Sequence, residues 1–213
     1  MPYDDFRHVD TWVFDLDNTL YPPEVRLFDQ IERLMTGFIV REIGVDIAAA
    51  HDLRRHYWKT YGTTLAGLMH EHGVDPDPFL HEVHALDLGN MPAAPELRRA
   101  IAALPGRKII YTNGSRAHGE KVSAARGLAG VFDAIYGIED AGYVPKPDRG
   151  AFERVFGADG FETGRAAMFE DDPRNLAVPR KMGMRTVLVG AANKGEHIDH
   201  RTGDLSKFLQ KLV

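Results

Sequence analysis

The sequence predicts an α/β fold: a parallel sheet with helices on both faces and a helical cap inserted after the first strand. Three observations predict it. Short apolar runs alternate with helical patterns along most of the chain, as in proteins built from βαβ units. Residues 24–90 contain helical patterns and almost no strand signal. Polar side chains follow several of the apolar runs, where a parallel sheet places its ligands.

Short runs of β-branched and aromatic residues predict the strands. The clearest four are Thr11–Phe14, 108–111, 166–169 and 186–189, and Ala134–Tyr136 is a weaker fifth. Runs of this length and composition are typical of buried strands. Because the strands alternate with helices, right-handed crossovers and a parallel sheet are expected.

Helical patterns fill the intervals between the strands. Proline near the first helical position and glycine after the last mark the ends of several of them. The predicted helices span residues 95–104, 115–126, 147–157, 173–183 and 204–213, and Pro179 is expected to kink the fourth.

Residues 22–91 are predicted to form a separate cap, and residues 1–21 and 92–213 the core. Proline-rich segments flank the cap, and helical patterns cover 28–43 and 48–61 within it. The segment 22–95 holds 6 Lys and Arg against 11 Asp and Glu, so it carries the whole net charge of −5. Such a shift in composition indicates a distinct structural unit.

Composition excludes several classes of protein. With 44% hydrophobic and 27% charged residues among 213, the chain is globular, and the absence of cysteine excludes thiolate nucleophiles and cysteine-bound metals. The negative net charge disfavours nucleic acid and anionic membranes as partners. No apolar run approaches the roughly 18 residues of a membrane span, and the acidic N-terminus does not resemble a signal peptide. A cytoplasmic enzyme, monomeric or homodimeric, is expected.

Polar side chains from distant segments are predicted to meet at one edge of the sheet. They are Asp15 and Asp17 after the first strand, Thr112 and Asn113 after the second, Lys146 before a helix, and Glu170 and Asp171 after another strand. Several carboxylates in one crevice repel each other, and a divalent cation such as Mg²⁺ relieves the repulsion. A carboxylate can attack phosphorus to form an aspartyl-phosphate, while a second one handles the proton of the leaving group.

These residues resemble, in order, the four motifs of the haloacid-dehalogenase-like phosphohydrolase superfamily, which has a Rossmann-like core. The motifs are Asp15-Leu16-Asp17-Asn18-Thr19, Thr112, Lys146 and Glu170-Asp171. Residues 14–22, 61–68 and 170–176 are similar to the pyrimidine 5′-nucleotidase branch. One departure is Asp172, which stands where the family often has Ser. With Pro173 it is predicted to cap the following helix.

The resemblance implies a role for each motif residue. Asp15 is the expected nucleophile and a Mg²⁺ ligand, and Asp17 is the general acid/base, which binds Mg²⁺ through its carbonyl. Asp171 completes the metal site, with Glu170 as a second or water-mediated ligand. Lys146 stabilises charge on Asp15 and on the phosphate. The residues expected to contact the substrate phosphate are Asp15, Leu16, Asp17, Thr112, Asn113 and Lys146, with loop N–H groups near Asn113.

The implied activity is Mg²⁺-dependent hydrolysis of a small phosphate monoester through an aspartyl-phosphate, most directly a pyrimidine nucleoside 5′-monophosphate. The alternatives are a phosphatase for phosphoglycolate or a sugar phosphate, a phosphomutase, a 2-haloacid dehalogenase, and a non-enzymatic phosphoaspartate signalling domain. Asp17, Glu170 and Asp171 argue against a dehalogenase, which needs neither a second carboxylate in the first motif nor Mg²⁺. The long insert after the first strand argues against a signalling receiver.

Overall fold

A six-stranded parallel sheet forms the centre of the molecule. The structure is a computed structural model that describes residues 2–190 and 195–213. The strands are paired in the order β3-β2-β1-β4-β5-β6, and every pair is parallel. Their bounds are Thr11–Phe14 (β1), Arg107–Tyr111 (β2), Ala134–Tyr136 (β3), Ala166–Glu170 (β4), Arg185–Val189 (β5) and His200–Thr202 (β6).

Ten α-helices accompany the sheet in the described part of the chain. They are Pro2–Phe6 (α1), Leu27–Ile43 (α2), Ile47–Tyr61 (α3), Thr64–His72 (α4), Pro76–Val83 (α5), Pro95–Ala103 (α6), Arg116–Ala125 (α7), Arg149–Asp159 (α8), Ala177–Lys181 (α9) and Leu205–Leu209 (α10). Short 3₁₀ turns occupy Pro23–Val25, Thr163–Arg165 and Pro173–Leu176.

The predicted α/β fold is confirmed, and the differences have local causes. Helix α8 begins at Arg149, because the Asp148 side chain accepts a hydrogen bond from Gly150 N and caps the helix there. The pattern over 173–183 forms a 3₁₀ turn followed by α9 instead of one kinked helix. Strand β6 was not predicted, since its three residues lack an apolar run.

The sheet separates two apolar clusters, one on each face. In β1, Trp12 and Phe14 pack into one cluster and Val13 packs into the other. This alternation follows from the two-residue period of a strand. All four β1 residues are buried because helices cover both faces.

Helices α2–α5 pack around a third apolar cluster, which also includes Ile138 from the loop after β3. In α4, Gly67 allows close packing on α3, since a Cβ there would overlap the Tyr57 ring. The boundaries of this helical unit at residues 22 and 91 stay a prediction. Within residues 2–190 and 195–213, every helix is too short or too polar to span a bilayer.

The strand order places β1 beside β4 at the point where the chain changes direction across the sheet. Strands β1, β2 and β3 run outward to one side, and β4, β5 and β6 run outward to the other. Ligands of open parallel sheets bind beyond the carboxyl ends of the strands at such a point. Asp15 follows β1 there, and Glu170 ends β4.

Candidate active site

Lys146 joins the ends of three strands through its ammonium group. Its Nζ donates to Asp15 Oδ1 at 2.8 Å, to Glu170 Oε2 at 2.8 Å and to the Tyr111 carbonyl at 3.0 Å. Three acceptors match the three protons of a lysine. The Lys146 side chain is 1% exposed. The charge of the two carboxylates raises its pKa, although burial acts in the opposite direction.

The loop after β2 holds the backbone of Lys146. Asn113 Oδ1 accepts from Lys146 N at 2.8 Å, and Asn113 Nδ2 donates to the Lys146 carbonyl at 3.1 Å. Thr112 Oγ1 accepts from Gly114 N at 2.9 Å, which fixes the turn of this loop. The Asn113 side chain therefore positions Lys146, and its main-chain N–H remains the group predicted to face a phosphate.

Asp15, Glu170 and Asp171 form an acidic cluster beside Lys146. One carboxylate oxygen of each lies within 4.8 Å of the others. Burial, followed by the charge of Glu170, raises the pKa of Asp15 to about 7. Burial also raises the pKa of Glu170 to about 7 and that of Asp171 to about 6. Because one ammonium group faces three carboxylates, the cluster carries excess negative charge when it is ionised.

This donor set fits a magnesium ion. Carboxylate oxygens are hard ligands that Mg²⁺ prefers, and a divalent cation balances the excess charge. Asn18 Nδ2 donates to Asp171 Oδ2 at 3.2 Å and orients that carboxylate. Glu170 is more constrained, since Lys146 binds Oε2 and Asp172 N donates to Oε1 at 3.1 Å. The geometry favours Asp15 and Asp171 as direct ligands and Glu170 as a ligand through water.

Asp17 lies in a different environment from Asp15. Its Oδ1 accepts from Tyr21 Oη at 2.6 Å and lies 3.0 Å from His118 Nε2, and Thr112 Oγ1 donates to Oδ2 at 3.5 Å. Burial acts to raise its pKa, but His118 and the Tyr21 hydroxyl outweigh it and lower the pKa to about 2. The two neighbouring aspartates are thus separated in pKa, and Asp17 is ionised over a wider pH range than Asp15.

His118 links Asp17 to the end of helix α5. Its ring stacks on His84 with centroids 4.2 Å apart. His84 Nδ1 is hydrogen-bonded to Ser115 Oγ at 3.0 Å, and Ser115 also accepts from His118 N and caps α7. Burial and the charge of His118 lower the pKa of His84 to about 3. A contact between the helical unit and the core therefore lies one hydrogen bond from Asp17.

The other predicted residues also lie at this edge. Leu16 follows Asp15, but its side chain is fully buried in the core, so only its main chain can face a phosphate. Asp172 caps the following turn by accepting from Arg174 N at 3.0 Å, as predicted. It also pairs with the Arg174 side chain, whose Nη2 lies 2.5 Å from Asp172 Oδ2.

A cavity of about 530 Å³ opens between this edge and helices α2–α5. Asp15, Asp17, Thr112, Asn113, Lys146, Glu170 and Asp171 line its floor. Phe28, Ile31 and Met35 from α2 and Arg54 and Trp58 from α3 line its wall. The volume is that of a site for a small molecule.

Sequence reasoning did not identify Tyr21, His118 or Arg54. Tyr21 lies four residues after Asp17, and His118 lies in the first turn of α7 after the Thr112 loop, so their positions gave a weak signal. Arg54 is one of four Asp, Arg and Lys residues on α3, and the sequence does not single it out because the register of α3 against the core is a tertiary property.

Comparison with known proteins agrees with this geometry. The sequence profile of the haloacid dehalogenase-like hydrolases matches residues 9–183. A Saccharomyces cerevisiae protein named phosphate metabolism protein 8 is 26% identical over 193 residues, which cover 82% of this chain and 60% of that protein. The chain thus spans about 60% of the length of this curated relative.

Solved structures show the same fold. The magnesium-bound HAD-hydrolase YfnB from Bacillus subtilis superposes with a TM-score of 0.61 at 18% identity, covering 96% of this chain and 98% of YfnB. CbbY from Rhodobacter sphaeroides in complex with phosphate gives 0.65 at 17% identity, covering 94% of this chain and 96% of CbbY. With a family profile that matches most of its length, the chain belongs to the haloacid dehalogenase-like hydrolases.

Proposed function

We propose that the protein is a Mg²⁺-dependent phosphomonoester hydrolase that acts on a pyrimidine nucleoside 5′-monophosphate through an aspartyl-phosphate. The observation that carries the proposal is the buried Asp15–Lys146–Glu170 bridge at the floor of a cavity. It presents a carboxylate held by a cation where a phosphate can enter. The magnesium-bound and phosphate-bound relatives support the same reading.

Asp15 is the proposed nucleophile. Its carboxylate attacks phosphorus, the bond from phosphorus to the ester oxygen breaks, and the leaving group departs as an alcohol once that oxygen receives a proton. A water molecule then attacks the phosphorus of the aspartyl-phosphate, which releases inorganic phosphate and regenerates Asp15. Lys146 holds Asp15 in position and offsets negative charge at the reacting oxygens.

Asp17 is the proposed acid and base. Its ionised form is the one that accepts a proton from the attacking water in the second step. In the first step it must carry a proton, and the negative charge of the arriving phosphate favours this by raising its pKa. Tyr21 and His118 hold its carboxylate in one orientation.

A Mg²⁺ ion would be held by Asp15 and Asp171, with the Asp17 carbonyl and Glu170 in the supporting positions predicted from the sequence. When bound, it supplies positive charge that stabilises the phosphoryl oxygens. Thr112 and the N–H groups of its loop are the proposed donors to the same oxygens.

The cavity wall supports a small, partly aromatic substrate. Phe28 and Trp58 are 41% and 48% exposed although they line the cavity, so they offer apolar surface to a ligand. A nucleobase uses such a surface by stacking on it. The cytoplasmic location, the absence of nucleic acid and membrane partners, and a monomeric or homodimeric state stay predictions.

The test is phosphate release from a panel of monoesters with Mg²⁺ and with EDTA. The panel holds UMP, CMP, dTMP, AMP, GMP, ribose 5-phosphate and phosphoglycolate. We expect Mg²⁺-dependent release that is fastest with the pyrimidine nucleotides and is abolished in folded Asp15→Asn. Equal activity in EDTA contradicts the metal assignment. A preference for phosphoglycolate or a sugar phosphate contradicts the substrate class, and no release from any ester contradicts the hydrolase.

A further inference from the structure

His84 brings a polar ring from the end of α5 to the edge of the catalytic cavity. It is the residue that follows the last turn of α5, and it lines this cavity together with Thr112 and Gly114 of the core. His84 also lines a second cavity, of about 430 Å³, which Ser115 borders as well. The ring therefore lies between two cavities, with Gly114 on the side of the first and Ser115 on the side of the second.

The two ring nitrogens of His84 have different surroundings. Nδ1 lies 3.0 Å from Ser115 Oγ. A Cβ at Gly114 would lie 3.5 Å from His84 Nε2 and 3.4 Å from Thr112 Oγ1, so the absence of a side chain at Gly114 keeps this space open. Nε2 has no hydrogen-bond partner in the described part of the chain, and it is not one of the fully buried polar atoms that lack one. Nε2 is therefore accessible, and it faces the catalytic cavity beside Thr112.

The hydrogen bonds of Ser115 assign the ring proton of His84 to Nε2. Ser115 Oγ accepts from His118 N at 3.1 Å as the cap of α7, so its own hydroxyl hydrogen can be donated to His84 Nδ1. With the ring proton on Nδ1, that hydroxyl hydrogen would have no acceptor among residues 2–190 and 195–213. The lowered pKa of His84 keeps the ring neutral, with one ring proton. Nε2–H is thus a free donor at the edge of the cavity.

We propose that His84 binds the substrate by donating Nε2–H to an oxygen of the phosphoryl group. This inference rests on the proposed function and deepens it, because it adds a residue of the helical unit to the phosphate site. Thr112 Oγ1 is a proposed donor to the same group, and both atoms lie within 3.5 Å of one point. Each hydrogen bond spans about 2.8–3.0 Å, so oxygens of one phosphoryl group can reach both donors. The bound phosphate then holds α5 against the loop after β2.

Calorimetry of inorganic phosphate binding in the presence of Mg²⁺ tests the proposal without turnover. His84→Phe keeps a ring that stacks on His118 but has no donor. His84→Asn keeps a polar group near Ser115 but does not extend to the position of Nε2, whereas His84→Gln places an amide N–H close to that position. We expect phosphate affinity to fall about 10- to 100-fold in His84→Phe and His84→Asn, the range for a hydrogen bond to a charged group. It should stay within about twofold of the wild type in His84→Gln.

His81→Phe is the matched control. His81 lies on α5, three residues before His84, and it lines the second cavity. Its replacement should change phosphate affinity by less than about twofold. In turnover assays, His84→Phe should lower kcat/KM for UMP and for ribose 5-phosphate by the same factor, because the phosphoryl group is common to both substrates.

The results separate this inference from the proposed function. Phosphate affinity that is lost in His84→Phe and His84→Asn and kept in His84→Gln supports the inference even when the wild type releases no phosphate from UMP, a result that overturns only the proposed function. Equal affinity in the wild type and folded His84→Phe overturns the inference and leaves the hydrolase intact, and a loss in His84→Asn alone then identifies stacking on His118 as the cause. Absence of phosphate binding to the wild type, or an equal loss in His84→Gln, also overturns the inference.

Discussion

Replacing Lys146 with methionine removes the cation between two buried carboxylates. Asp15 and Glu170 then lose the partner that keeps their pKa values from rising further. In EDTA, these two carboxyls of the wild type have pKa values of about 7, so above that pH they are ionised in both the folded and the unfolded state. The free energy of unfolding then changes little with pH on their account. In the variant, both carboxyls stay protonated in the folded state above pH 7, whereas they are ionised in the unfolded state. The free energy of unfolding of the variant therefore continues to fall, by about 1.4 kcal/mol per pH unit for each carboxyl, as pH rises.

The magnitude follows from this difference in slope. Between pH 7 and pH 8.5 each carboxyl contributes about 2 kcal/mol of lost stability, and the two together about 4 kcal/mol. This agrees with the roughly 3–5 kcal/mol expected when one partner of a buried ion pair is removed. At pH 5.5 both proteins hold these protons when folded. The variant then loses only about 1–2 kcal/mol, from the bond to the Tyr111 carbonyl and altered packing.

Urea unfolding in EDTA at pH 5.5 and pH 8.5 measures the effect for the wild type and Lys146→Met. Lys108→Met is the control, since Lys108 Nζ donates to the Leu104 carbonyl at 3.0 Å and its replacement should give the same small loss at both pH values. If Lys146→Met loses as much stability at pH 5.5 as at pH 8.5, the ion pair is not the cause and the electrostatic reasoning is refuted.

Three further variants probe the acid, the metal and the helical unit. His118→Ala should lower kcat for UMP about tenfold and leave p-nitrophenyl phosphate nearly unchanged, because that leaving group needs no proton and a mispositioned Asp17 matters less. Mg²⁺ at 100 times its Kd should raise the unfolding temperature by about 5–10 °C, and Asp171→Asn should abolish that rise in a thermal scan. Gly67→Ala should lower stability by about 1–3 kcal/mol in urea unfolding, since the new methyl group overlaps Tyr57.

Each of these has a matched control or a contrary outcome. For His118→Ala, an equal loss of kcat with both leaving groups contradicts a role in positioning Asp17. Asp172→Asn should retain the thermal response to Mg²⁺, because Asp172 is paired with Arg174. Gly37→Ala in α2 should stabilise the protein by about 0.5–1 kcal/mol, since no atom lies within 4 Å of its new Cβ and alanine favours helix. A neutral Gly67→Ala would show that α3 and α4 adapt to the added volume.

Much of the fold was predictable because its signals are local. The run Thr11–Phe14 is buried throughout because both faces of β1 are covered, and its predicted bounds match the structure. Ser115 and Asp204 cap α7 and α10 through their own side chains, so the starts of those helices are encoded within a few residues. Strand β6 could not be predicted, since pairing with β5 rather than its own composition makes His200–Thr202 a strand.

The convergence of the site residues was also predictable, for a topological reason. Residues that follow parallel strands meet at one edge, so Asp15, Lys146 and Glu170 could be placed together without knowing any side-chain geometry. The tertiary contacts were not accessible in the same way. His118 reaches Asp17 across 101 positions of sequence, and the His84 ring reaches His118 from another helix. Such contacts depend on helix register and on how one unit sits on the other.

The strand order also sets the timing of core formation during synthesis. Strand β1 pairs with β2 and β4, and the first of these partners, Arg107–Tyr111, emerges about 95 residues after Thr11–Phe14. At roughly 5–20 residues per second, β1 stays unpaired for about 5–20 s, with the apolar side chains of Trp12, Val13 and Phe14 exposed. The helices made in that interval, α2–α5, have mostly local contacts and supply most of the third apolar cluster, so they can form before β2 is made. Until β2 is made, the unpaired first strand is therefore open to aggregation on the nascent chain.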